Sequence, residues 1–60
     1  MKLSGFLNKP RWQAKEAAVR RAGVADDDDA ELIASLPVIA RQDPDPGVRN
    51  AAMLRALLEG

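Results

Sequence analysis

The segments Val19-Arg20-Arg21-Ala22 and Val48-Arg49-Asn50-Ala51 read as two copies of one short pattern, 29 residues apart, each opening a stretch rich in Ala, Leu and Met. An acidic residue stands three positions ahead of the valine in both, Glu16 in the first and Asp45 in the second. A fixed period of this size is the mark of stacked helical repeats, in which each unit covers an apolar face of its neighbour. The pattern points to a scaffold or binding module rather than to a catalytic domain.

Composition narrows this further. Sixty residues make at most one small domain, of a size that is often only marginally stable alone. The chain has no Cys and no His, so it has no disulfide or thiolate–metal staple, and it lacks the commonest general base and metal ligand. Hydrophobic residues make up 47% of the chain, but many are Ala, and the only aromatics are Phe6 and Trp12. Such faces suit helices that approach closely and do not build a deep ligand pocket. The expectation is an all-α, non-catalytic domain with no cofactor, leaning on a second copy or on the rest of a longer parent protein.

No apolar run approaches the ~18 residues of a membrane span. The opening Met1-Lys2-Leu3-Ser4-Gly5-Phe6-Leu7 is cut short by Asn8-Lys9-Pro10-Arg11, too early for a signal peptide. By default the sequence places the protein in the cytoplasm, away from membranes.

The formal net charge is zero, but the charges are segregated. Residues 1–25 carry six basic side chains against Glu16, a net +5; residues 26–60 carry three against eight acids, a net −5. The asymmetry suits two halves that attract each other, within a chain or head to tail between two. It also leaves a candidate basic patch of Lys9, Arg11, Lys15, Arg20 and Arg21 for phosphates. The patch lacks interleaved aromatics and glycine loops, and this makes nucleic acid the second choice of partner.

Along the chain, residues 1–12 read as an arm in which Leu3, Phe6 and Leu7 share one side at helical spacing and form a short lid. Pro10 interrupts any helix there. Helices are predicted over 13–25, 29–42 and 46–58. The second opens on Asp28-Asp29-Ala30-Glu31, a capping box with Asp28 as acceptor and Glu31 reaching back. Its apolar residues Leu32, Ile33, Leu36, Ile39 and Ala40 follow at helical spacing, and Pro37 predicts a kink or a new start. In Asp43-Pro44-Asp45-Pro46-Gly47, Asp45 is a good N-cap and Pro46 suits the first helical position. The third helix is apolar on more than one side, the signature of a helix covered on two faces.

The run from Glu31 to Ala52, with its leucine-rich helix containing Pro37, its Asp43-Pro44-Asp45 turn and the Val48-Arg49 opening of the next helix, resembles one HEAT repeat of the short, phycobilisome-lyase type. Residues 15–25 resemble the second helix of a preceding repeat, with Val19-Arg20 at the corresponding place. The likeness implies one to one-and-a-half repeats, an α-solenoid fragment. The first repeat lacks its own leading helix, which Phe6 and Trp12 partly replace. The Lys9-Pro10-Arg11-Trp12-Gln13 lead also resembles the beginning of some longer bacterial proteins of uncharacterised role. In HEAT repeats the Arg at the place of Arg20 and Arg49 ordinarily pairs with turn acids such as Asp43. The resemblance therefore implies a structural role for Asp43, Asp45, Arg49 and Pro37.

The run Asp26 to Asp29 lacks the spaced acids, sixth-position Gly and twelfth-position Glu of a calcium loop, so no metal is expected there. Trp12 is expected to pack as a lid over the open end of the helices, and it joins Leu54, Leu57 and Leu58 in the candidate interface. The candidate partner is a protein: a second copy in a homodimer, the remainder of a parent chain, or another protein.

Overall fold

In the computed structural model, which describes residues 9–60, the chain is all-α: a 3-10 turn at Arg11–Gln13 followed by α1 (Ala17–Asp26), α2 (Ala30–Gln42) and α3 (Pro46–Glu59). The expected turn of Leu3, Phe6 and Leu7 lies outside the described residues.

Helix α1 starts later than the predicted 13–25 because the backbone is extended at Ala14 and at Glu16, after the 3-10 turn has carried Trp12 into the core. Arg20 Nη1 fixes this entry by donating to the carbonyls of Ala14 and Lys15, at 2.9 and 2.8 Å. The cap of α2 falls on Asp29 and not on Asp28: the Asp29 carboxylate accepts from Glu31 N at 2.9 Å. Asp29 is preferred because its second oxygen also accepts from the Trp12 indole N–H at 3.2 Å.

Pro37 does not start a new helix, since α2 is continuous from Ala30 to Gln42. Its ring occupies an exposed position, and the only intrahelical bond that must be missing is the one its absent N–H cannot make. Helix α3 opens as a capped start with Pro46 in its first turn, and the Asp45 carboxylate accepts from Val48 N at 3.0 Å.

Helices α2 and α3 form an antiparallel hairpin about the Asp43–Asp45 turn. At its far end Ile33, Leu36 and Pro37 share an apolar hollow with Ala56 and Gly60. Helices α1 and α3 run parallel: Asp45 sits beside Ala17 and Ala18 at their starts, and Arg55 Nη1 donates to Val24 O, at 3.1 Å, near their ends. That bond satisfies a carbonyl in the last turn of α1 that has no helical donor. Trp12, Val24, Leu32, Leu36, Val48 and Ala52 form the core, with Ile33, Ile39 and Ala56 partly buried against it.

Gly23 is required by packing. A Cβ there would stand 2.7 Å from Arg11 C and 2.8 Å from Arg11 Cβ, and would overlap Trp12 N. The 3-10 turn therefore lies directly on the α1 backbone.

Candidate interaction surface

The two copies of the repeat can be compared atom by atom. Their N-caps, Glu16 and Asp45, and their first helical residues, Ala17 and Pro46, are each 29 positions apart. In both copies the arginine four residues beyond the N-cap turns back to a backbone carbonyl six residues upstream. Arg20 Nη1 holds Ala14 O at 2.9 Å, and Arg49 Nη1 holds Asp43 O at 2.7 Å. Only Asp45 caps with its side chain; Glu16 makes no such bond.

Asp43 is the point at which the copies meet. Arg20 Nε and Nη2 donate to its two carboxylate oxygens at 2.8 and 2.9 Å, a bidentate pair between α1 and the α2–α3 turn. The backbone N–H of Asp45 donates to the same carboxylate at 2.9 Å. Partial burial, the largest single influence, pushes the Asp43 carboxyl up. The hydrogen bonds from Arg20 and Asp45 N, with the charges of Arg20 and Arg49, outweigh it and hold the group below its ordinary value. The Arg20 guanidinium is correspondingly held in its protonated form, chiefly by the hydrogen bond to Asp43.

Two of the five cations of the candidate basic patch are paired within the fold. Arg20 is committed to Asp43, and Arg11 donates to Asp27 through Nε and Nη2, at 3.2 and 2.6 Å. Lys9, Lys15 and Arg21 are exposed. Trp12 is likewise withdrawn from the candidate interface: it is only 8% exposed and its indole nitrogen is already bonded. Among the described residues no group of three or more Asp or Glu is placed to hold a metal ion, and no helix is long and apolar enough to cross a membrane.

Among the described residues most of the exposed large apolar side chains lie on α3, the others being Val19 of α1 and Val38 of α2. Met53 and Leu54 are about half exposed, Leu57 is 74% exposed and Leu58 86%. At 100° per residue, positions 50, 53, 54, 57 and 58 form one stripe, turned away from the Val48–Ala52 edge that faces the core. Leu54 and Leu58 also share a shallow apolar hollow with Ala25 of α1 and with Ala51 and Arg55 of α3. Met53 was not among the predicted interface residues; its i, i+4 spacing to Leu57 is the signal that places it there.

The internal comparison shows how unusual this face is within the molecule. Twenty-nine residues earlier the corresponding positions are Arg21, Val24 and Ala25 of α1 and, past its end, Asp28 and Asp29; of these Val24 is fully buried in the core. Its counterpart 29 residues on is Met53, which is 52% exposed. At this one position of the register an apolar side chain is covered on α1 and half exposed on α3.

Comparison of the chain with protein-family models, with curated proteins and with solved structures finds no match.

Proposed function

We propose that this chain is a non-catalytic protein–protein interaction module of HEAT-like design, binding through the apolar face of α3. The observation that carries this reading is the contiguous stripe of Met53, Leu54, Leu57 and Leu58, four large apolar side chains exposed on one helix of a very small protein. Exposed apolar residues scattered singly are ordinary, whereas a contiguous row rimmed by polar groups marks a docking surface. Burying it contributes roughly 25 cal/mol per Å² of apolar area, which both provides affinity and stabilises a small fold by mass action. The repeat resemblance is supported by the parallel α1 and α3, the antiparallel α2, and the equivalent arginine–carbonyl bonds 29 residues apart.

The test is the double variant Leu57→Asp, Leu58→Asp, followed by sedimentation equilibrium at several concentrations and two salt levels and by thermal melting. Both side chains are exposed, so the isolated fold should melt within a few degrees of the parent while self-association or partner capture is lost. Unchanged association together with unchanged stability would show that this surface is not the interface.

A further inference from the structure

Residues 10–15 sit on the helices as a peptide sits on a receptor. The 3-10 turn makes its own backbone bonds, Gln13 N to Pro10 O at 2.9 Å and Ala14 N to Arg11 O at 3.0 Å. Among the described residues, every hydrogen bond that ties it to the helices runs through a side chain. Arg11 donates to Asp27, the Trp12 indole donates to Asp29, and Arg20 Nη1 donates to the carbonyls of Ala14 and Lys15. The turn rests on the α1 backbone at Gly23, where a side chain would overlap Trp12 N. Trp12 is the one buried residue of the turn, and the connection to α1 is extended at Ala14 and at Glu16. The turn therefore lifts away without breaking a backbone bond of any helix, and it uncovers Gly23 and the acidic link between α1 and α2.

That link holds more negative charge than its occupant uses. Asp27 and Asp29 are engaged, whereas Asp26 and Asp28 are exposed and have no hydrogen-bond partner among the described residues. Arg11 is held in its protonated form chiefly by the hydrogen bond to Asp27, and the nearby charge of Asp26 adds to the effect.

We propose that the surface from Gly23 to Asp29 is a recognition site for a basic segment of a partner protein that carries an Arg-Trp turn, and that residues 10–15 occupy it until such a segment displaces them. The site is separate from the α3 face and does not rest on it. Mass action argues against a second copy as the occupant. Its arm brings identical contacts, while the resident arm, joined through a few residues, acts at an effective concentration of about millimolar. Only a segment that binds better displaces it, and Asp26 and Asp28 are where additional lysines or arginines gain.

The receptor for the test is the full chain with Trp12→Ala, which is free of tryptophan because Trp12 is the only one. Two acetylated peptides are titrated onto it, residues 9–16 as they stand and the same segment with Gln13→Lys. A blue shift of peptide fluorescence reports binding, and the melting temperature of the receptor reports it by linkage. The parent is titrated in parallel, isotope-labelled so that its Trp12 indole N–H signal shows whether the resident arm has left. Two further receptors add Asp27→Asn, or Asp26→Asn with Asp28→Asn.

Both peptides should bind the Trp12→Ala chain with blue-shifted emission and a raised melting temperature. The parent should bind them at least about tenfold more weakly, its indole signal moving to that of an exposed tryptophan as peptide is added. Gln13→Lys should tighten binding about two- to fivefold, a gain removed by Asp26→Asn with Asp28→Asn, and Asp27→Asn should weaken both peptides by a similar factor. If the Trp12→Ala chain is unfolded alone, refolding by peptide gives the same support. Neither blue shift nor refolding at millimolar peptide, with an unmoved indole signal in the parent, would overturn the proposal. Equal affinity for parent and variant would also overturn it, because the peptide would then lie outside the seat of the arm. A Gln13→Lys peptide that binds no tighter, or a gain that survives the loss of both aspartate charges, removes the basic partner. A parent that dimerises in sedimentation equilibrium, and loses the dimer when a folded Trp12→Ala chain replaces it, assigns the seat to the arm of a second copy, and the partner assignment fails.

Discussion

The indole N–H of Trp12 donates to Asp29 Oδ2 at 3.2 Å, while the other oxygen of the same carboxylate caps helix α2 at Glu31 N. One side chain thereby ties the arm to the start of the first hairpin helix. Replacing Asp29 by Ala removes a cap, typically about 1 kcal/mol, and strands a buried indole donor at a cost of ~1–3 kcal/mol. Asp29→Asn keeps one acceptor oxygen but sets an NH2 group against the other donor, so it should recover only part of the loss. Thermal melting with Trp12 fluorescence checks this: Asp29→Ala should lower the melting temperature and red-shift Trp12 emission, and equal effects from the two variants would refute the shared role of the carboxylate.

Gly23 is the second point at which the arm is fixed. A methyl group there meets the backbone of Arg11 and Trp12 and not the flexible end of a side chain, so the 3-10 turn must move as a unit. Gly23→Ala should destabilise by about 1–3 kcal/mol, even though Ala is the better helix former by up to ~1 kcal/mol. For a domain of this size each kcal/mol lowers the melting temperature by roughly 4–8 °C. A stabilised Gly23→Ala variant would show that the arm does not rest on α1.

Val19 and Val48 occupy the same place in the repeat, yet Val19 is 39% exposed and Val48 fully buried. Truncation should separate them. Val48→Ala removes buried methyl groups from the core and should cost about 1.5–3 kcal/mol, whereas Val19→Ala should stay within ~0.5 kcal/mol. Denaturant melts of the two variants give the comparison directly, and equal losses would mean that the first copy is covered as fully as the second.

The Arg20–Asp43 pair has a pH signature. An aspartate in an unfolded chain titrates near ~3.9, and Asp43 in the fold lies below its ordinary value. The unfolded state therefore takes up the proton first as pH falls. The stabilisation from Asp43 is fully present above the unfolded value and is lost as pH drops below about 4, through the folded value. Asp43→Asn should lower the melting temperature at neutral pH and flatten its fall between about pH 5 and 2. Asp28→Asn, at an exposed position, serves as the charge control. A parent and an Asp43→Asn variant with parallel acid limbs would remove Asp43 from this role.

Helix starts are legible in this sequence where local chemistry is sufficient. Asp45 followed by Pro46 caps and opens α3 through atoms within three residues of each other, whereas α1, expected from residue 13, begins at Ala17. The cap of α2 was not legible. Four consecutive aspartates offer equivalent local caps, and the choice of Asp29 depends on Trp12, 17 residues away. The exposed leucines of α3 were legible from an apolar band too wide for one core, but the fate of Arg11 was not. The repeat resemblance already pointed Arg20 toward Asp43, whereas only the fold brings Asp27 within hydrogen-bond reach of Arg11.

The sequence by itself determined that the chain is helical, where α3 begins, and that one pattern is used twice, because caps, prolines and apolar spacing act over a single turn. Tertiary structure alone decided which of two equivalent positions is buried. Val24 lies beneath the α2–α3 hairpin, and nothing among the described residues covers Met53 in the same way. Burial is set by what another segment brings to a face, and a repeat in sequence carries no record of whether its neighbour is present.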